Sequence, residues 1–385
     1  MSRWRPSPAR WTHHAASETP RFSPSVESRA TRWSLGAALV AAATTVLVMG
    51  GARMPLGGGE SVGSLAALLA AIAAGPAFAV SFALERRRGY LAWRNSLPRA
   101  KRVTDLIALS GAMMMLADLV VVAVAELFQL GFRGLTIDPF GAAALVAAAV
   151  GTMTYVASVS GARVTSTGVA SLATLVLFIG TLASMVSASQ GDWWRFHFSE
   201  LGNESGYAGY QFNLSLITTG AVITALANFV AHDLEVGLRA HVDTPQRRAR
   251  LFAWLLAVIG LCLMVAGFVP DAVAFPVHVG AASGMVVVFG VLVGCLLTLV
   301  PGIRRDIAVF SVLVVAGIVV AVALWVPIDY YNLTGSEFII AGLLFAWLML
   351  FVRQARAYAD AAAPAPPVPA AAAPAAAGAR VHQLT

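Results

Sequence analysis

The chain has 385 residues, of which 58% are hydrophobic and only 12% charged, about half the charged share of an ordinary soluble domain. This composition excludes a soluble enzyme, a nucleic-acid-binding module, a disulfide scaffold and a coiled coil. The net charge of +7 would suggest nucleic acid in a soluble protein, but in a membrane protein the positions of the arginines decide its meaning.

The first 32 residues are polar and arginine-rich, with arginine set beside aromatics at Arg3, Trp4, Arg5, then Arg10, Trp11, then Arg21, Phe22. They lack the apolar content of a core and read as a disordered basic tail. Ten apolar stretches follow, at 33–50, 61–84, 103–130, 140–162, 165–188, 210–232, 251–269, 278–300, 307–326 and 337–352. Each is close to the roughly 20 residues a helix needs to cross a hydrocarbon layer of about 30 Å. No two-residue alternation runs through them, so they are expected to be helices and not strands of a barrel. An Ala/Pro-rich tract at 353–385 reads as a second disordered tail. The predicted fold is an all-α, polytopic transmembrane helix bundle of about ten spans, divided into a four-span unit at 33–162 and a six-span unit at 165–352. Cys262 and Cys295 both lie in apolar stretches at depths about 9 Å apart, which argues against a disulfide between them.

Basic residues in short loops mark the cytoplasmic side. With both termini inside, 23 of the 26 Lys and Arg residues fall on the inner side, and Arg53, Arg133 and Arg195 remain outside. The inner loop between the second and third spans alone carries Arg86, Arg87, Arg88, Arg94, Arg99, Lys101 and Arg102. An omitted or added span would invert every later loop and destroy this asymmetry. The expected location is a bacterial plasma membrane, multi-pass, with both termini cytoplasmic and an acidic outer rim.

The longest outer loop, 190–209, is the least lipid-like part of the spanning region. Trp193 and Trp194 suit the headgroup level. His197 and Glu200 stand three apart, so a helical turn would place both on one side, and an imidazole with a carboxylate supplies half of a zinc-type site. Further polar groups come from other outer loops: Asp271 after Pro270, His278 at the start of the eighth span, and Asp329 in the last outer turn. His197, Glu200 and His278 are the candidate metal ligands, although no H-E-x-x-H, C-x-x-C or G-x-S-x-G motif is present.

Within the spans, Asp118 is the conspicuous charge, because an acid at that depth needs a partner or a proton. Glu126, eight residues on, would continue a polar stripe toward the outer face, and Thr152 and Tyr155 of the next span are possible hydrogen-bond donors. Asn213 and Asn228 are placed to join helices. The pairs Gly280/Gly284 and Gly290/Gly294 predict close helix packing in the eighth span. A Pro-basic segment before the third span (97–102) and another before the seventh (244–250) would fit a parallel duplication.

The run Ser199, Glu200, Leu201, Gly202, followed by Phe212 and Asn213, resembles the S-[D/E]-L-G and F-N signature of an uncharacterised bacterial family of six-span membrane proteins. That family is in turn similar to the DRAM-like membrane proteins, which are linked to autophagy and lipid handling. The resemblance covers about residues 165–352. It implies an outer loop lying against the bundle, with Glu200 and Asn213 at a shared structural or ligand site, and it brings no reaction or cofactor with it.

Three functions fit these observations. The resemblance and the lack of a catalytic motif favour a non-enzymatic, lipid-interacting or accessory factor, with membrane lipids and a membrane-protein partner as its contacts. Asp118 and Glu126 would serve a proton-coupled transporter. His197, Glu200, Asn213, Asp271, His278 and Asp329 would serve an outward-facing, metal-assisted enzyme acting on a lipid or lipid-linked substrate.

Overall fold

The computed structural model describes residues 24–85 and 90–362. The first 23 residues, residues 86–89 with Arg86, Arg87 and Arg88, and the tail beyond Ala362 lie outside the described residues. Within them the chain forms α1 (Pro24–Met49), α2 (Val62–Glu85), α3 (Arg99–Gly131), α4 (Pro139–Ala162), α5 (Ser166–Ser187), a short α6 (Glu200–Asn203), α7 (Tyr207–Leu238), α8 (Pro245–Phe268), α9 (Asp271–Leu299), α10 (Arg305–Trp325) and α11 (Leu333–Ala362). All but α6 are long and apolar enough to cross a membrane. The protein is a multi-pass membrane protein. The only strands among the described residues are two-residue pieces, Met54–Pro55 paired antiparallel with Thr136–Ile137.

Several helices extend beyond their apolar stretches, for an electrostatic reason. Residues 24–32, expected in the disordered tail, form the first turns of α1. There Glu27 accepts hydrogen bonds from Tyr155 Oη (2.5 Å) and Arg163 (2.9 Å), and Arg29 pairs with Glu85 (3.1 Å). At the far end of the chain, α11 continues through residues 353–362. Arg356 reaches Asp233 of α7 (3.8 Å), and Tyr358 Oη donates to the Pro301 carbonyl (3.0 Å). Partners on neighbouring helices offset the ordering cost of these polar turns.

α7 lies at the centre, packed against α3, α5, α8 and α11. α2 packs on α3 and α4, and α1 on α4, so α3 joins the first four helices to the rest. In the second half, buried Trp347 of α11 donates to Ser311 Oγ of α10 (2.8 Å) and packs edge-on against Phe289 of α9 with centroids 4.9 Å apart. One side chain thus ties three helices.

Close helix packing does not involve the glycine pairs of α9. A Cβ built on Gly280, Gly290 or Gly294 would meet nothing within 4 Å, and one on Gly284 only the Cys262 sulfur at 3.9 Å. A tight seam lies instead between α7 and α8, where the Gly220 carbonyl oxygen is 2.5 Å from a Cβ position on Gly260 and the Asn213 carbonyl oxygen 2.8 Å from one on Gly267. Both cysteines are free, as their depths predict.

Candidate functional site

After α5 the chain folds across the end of the bundle that the charge pattern reads as outer, in residues 188–206. Glu204 clamps this segment. Its carboxylate accepts from the hydroxyl and the backbone N–H of Ser189 and from the Gln190 N–H (2.9 Å). The Ser189 hydroxyl first, and then these backbone donors, hold the Glu204 carboxyl below its usual range. A lowered folded value means that the clamp contributes fully above the ordinary value of 4.5 and is lost as pH falls through the folded one. Glu204→Gln is expected to speed hydrogen exchange at the Ser189 and Gln190 amides about five-fold at neutral pH, matching roughly 1 kcal/mol for an exposed charge-assisted bond. It should also remove the acid dependence of this exchange expected of wild type.

The resembled motif holds the segment in place residue by residue. Phe198 packs edge-on against Phe212 (5.7 Å), Trp193 (6.0 Å) and Phe338 (6.3 Å), while its N–H donates to Glu337 of α11 (2.5 Å). Leu201 is fully buried. Asn213 Nδ2 donates to the Gly202 carbonyl (2.9 Å), and a Cβ on Gly202 would collide with Asn213 Oδ1 at 2.7 Å. A side chain at Gly202 would have to displace the Asn213 amide that holds α6 against α7. Asn332 Nδ2, from the last turn before α11, donates to the Trp194 carbonyl (2.6 Å).

Three of the sequence candidates meet. His197 Nε2 lies 3.2 Å from Asp271 Oδ2 and 3.6 Å from Glu200 Oε2, and ligand atoms of the three residues all fall within 4.8 Å of one another. His197 precedes α6, Glu200 is its first residue, and Asp271 is the first residue of α9. α9 is broken at Ala274 (φ −152°, ψ 83°), two residues before Pro276, whose ring and missing N–H disrupt the regular ladder. Asp271 therefore sits on a separate first turn. Asn203 joins the two segments, donating to Glu200 Oε2 (3.0 Å) and accepting from the Ala272 N–H (3.3 Å). Asp271 Oδ1 also accepts from the Ala272 N–H (3.0 Å), so its other oxygen faces the imidazole.

One nitrogen and two carboxylate ligands on partly buried side chains can hold a divalent cation, with further positions left to other ligands. With neutral imidazole, the two carboxylates supply the charge that such a cation requires.

The other candidates are placed elsewhere. His278 lies outside the group of three: it is buried, with Nδ1 2.9 Å from the Val269 carbonyl and Nε2 2.9 Å from Ser199 Oγ. Asn213 supports the Gly202 backbone, as described. Asp329 is exposed in the turn after α10, with a positive φ of 54°.

Asp118 and Glu126 do not touch. Glu126 accepts from the Gly58 N–H (2.7 Å), and Gln129 accepts from the N–H groups of Leu56 and Gly57, so this face of α3 clamps the loop before α2. Asp118 is half-buried, and no hydrogen bond or ion pair reaches it among the described residues. Tyr155 is engaged with Glu27 instead.

Sequence reasoning gave Ser199 and Asn203 no role in a site, although Ser199 opens the quoted motif, and noted Glu337 only as an acidic group after the last outer turn. It also missed a buried pair at the opposite end. Arg94 lies in a 3-10 turn, Tyr90–Ser96, that folds back under the bundle; its Nη2 donates to Asp105 Oδ2 (2.7 Å), and both residues are at most 3% exposed.

Residues 171–354 match a family model described as "Protein of unknown function (DUF998)". The matched segment runs from α5 into α11 and contains the His197, Glu200 and Asp271 group. No curated protein and no solved structure matches the chain.

Proposed function

We propose that this membrane protein engages lipid headgroups at its outer face through a divalent cation held by His197, Glu200 and Asp271. The observation that carries this reading is the convergence of the three ligand atoms within 4.8 Å from two separate segments. The setting supports it: Trp194 and Phe196 are at least half exposed beside the group, and aromatic side chains of this kind favour the headgroup level. The cation's open position would take a phosphate or carboxylate oxygen of the lipid. The resemblance to proteins linked with lipid handling agrees with a lipid as the partner.

The test is metal content and metal response of the full chain in lipid nanodiscs. Wild type is expected to retain about one equivalent of zinc or manganese. Added metal at about 100 times its dissociation constant should raise stability by roughly 2.7 kcal/mol. His197→Ala and Asp271→Ala should each abolish retention and the thermal shift, and chelation should release phospholipid that co-purifies with wild type. Wild-type protein without bound metal and without a shift, or a His197→Ala protein that retains as much metal, overturns the reading.

A further inference from the structure

Ser199 and His278 form a second constellation next to the three cation-binding side chains. His278 Nδ1 lies 2.9 Å from the Val269 carbonyl oxygen. A carbonyl only accepts, so Nδ1 carries the ring proton and the lone pair of Nε2 points at Ser199 Oγ, also at 2.9 Å. A base-activated serine requires this geometry: the hydroxyl within about 2.6–3.2 Å of the base, and the base fixed by a third group.

The three parts come from different elements. Ser199 immediately precedes α6, His278 follows the break in α9, and Val269 follows the last residue of α8. His278 is 6% exposed and shielded, while Ser199 is only half-buried. Ser199 and Glu200 are neighbours in the chain, with Cα atoms about 3.8 Å apart. A lipid held by the cation would therefore lie against the serine.

We infer that Ser199 and His278 are a nucleophile–base pair acting on a carboxylic ester of a lipid at the outer membrane surface. Substrate placement, and only that, rests on the cation reading. In the first step Ser199 Oγ bonds to the ester carbonyl carbon and its proton passes to His278 Nε2. The bond from that carbon to the alcohol oxygen breaks, and His278 returns the proton to the departing alcohol. An acyl ester of Ser199 remains. Water then bonds to the acyl carbon, its proton moving through His278 to Ser199 Oγ as the fatty acid leaves. Trp193 and Trp194 would set the depth, because acyl esters lie just below the headgroups where these side chains favour the interface.

A fluorophosphonate probe tests this on the full chain in nanodiscs, with the adduct located by peptide mass spectrometry. A covalent adduct on Ser199 of wild type is expected, none on that peptide in Ser199→Ala, and labelling about 100-fold slower in His278→Gln, the usual scale of a general base. An unlabelled Ser199 in wild-type protein with a normal melting curve overturns the pair, without recourse to any variant. Equal labelling rates for wild type and folded His278→Gln also overturn it. Parallel samples with and without chelator separate the two readings. Ser199 labelled in a protein that binds no metal supports the pair and removes the cation; metal bound with Ser199 unlabelled removes the pair and leaves the cation in place.

Discussion

Asp105→Ala is expected to lower the stability of the protein, measured by thermal unfolding in detergent or nanodiscs, by about 3–5 kcal/mol, the usual cost of breaking a buried ion pair from one side. The Asp105 carboxylate accepts from Arg94 Nη2 (2.7 Å) and, on both oxygens, from Asn228 Nδ2 of α7 (3.0 and 3.2 Å). The Arg94 guanidinium lies 4.9–5.7 Å from the ring centroids of Phe229, Phe82 and Trp93, and Trp93 stacks on His232 of α7 at 4.3 Å. Removing Asp105 takes the carboxylate from a cation packed among aromatic rings and leaves the Asn228 amide without its acceptor.

The double replacement Arg94→Met with Asp105→Leu should behave differently. Apolar groups of similar volume fill the same space with no charge to desolvate, so its stability should return to within about 2 kcal/mol of wild type. A single Asp105→Ala change that leaves the melting curve in place would show that the pair anchors nothing. The expectation matters for the opposite end of the molecule as well. The pair fixes α7, and α7 carries Asn213, which holds the Gly202 backbone beneath Glu200. Asp105→Ala should therefore weaken metal retention indirectly, and the double replacement should restore it.

The spans were legible because lipid imposes a simple rule: a long apolar run must be a helix. The polar helix ends followed no such rule. Arg356 and Tyr358 look like tail residues until Asp233 and Pro301 are found beside them. Arg94 shows the same limit, since counting charges places it in a loop, whereas the 3-10 turn tucks it under Phe82 and Phe229.

At the site, the three-residue spacing of His197 and Glu200 was readable, and Asp271 stood out beside Pro270. The direction of the His278 ring was not. It depends on the break at Ala274 and on the Val269 carbonyl, so the residue expected as a cation ligand faces Ser199 instead. Ser199 was legible only as the first residue of the resembled motif; its pairing with His278 was not, because a serine carries no spacing signal until its histidine is located in space.

Glycine gives the second large expected effect, and here sequence pattern and structure point to different helices. Gly260→Leu should prevent accumulation of folded protein, or lower its stability by at least about 3 kcal/mol. A Cβ there would stand 2.5 Å from the Gly220 carbonyl oxygen and 2.9 Å from the Thr224 nitrogen, backbone atoms that cannot swing away as the Thr224 hydroxyl, also at 2.5 Å, could. Gly290→Ala on α9 is the control. Nothing lies within 4 Å of its Cβ position, and alanine is a better helix former than glycine by up to about 1 kcal/mol, so that variant should melt at or slightly above wild type. By spacing alone the α9 pairs are the textual match for small-residue packing, yet spacing records only that two glycines share a helix face. Whether another helix uses that face depends on the neighbours, and on α7 and α8 it is the facing of Gly220 and Gly260 that lets the backbones approach. A Gly290→Ala variant that unfolds, beside a Gly260→Leu variant that does not, would place the tight seam on α9 and reverse this assignment.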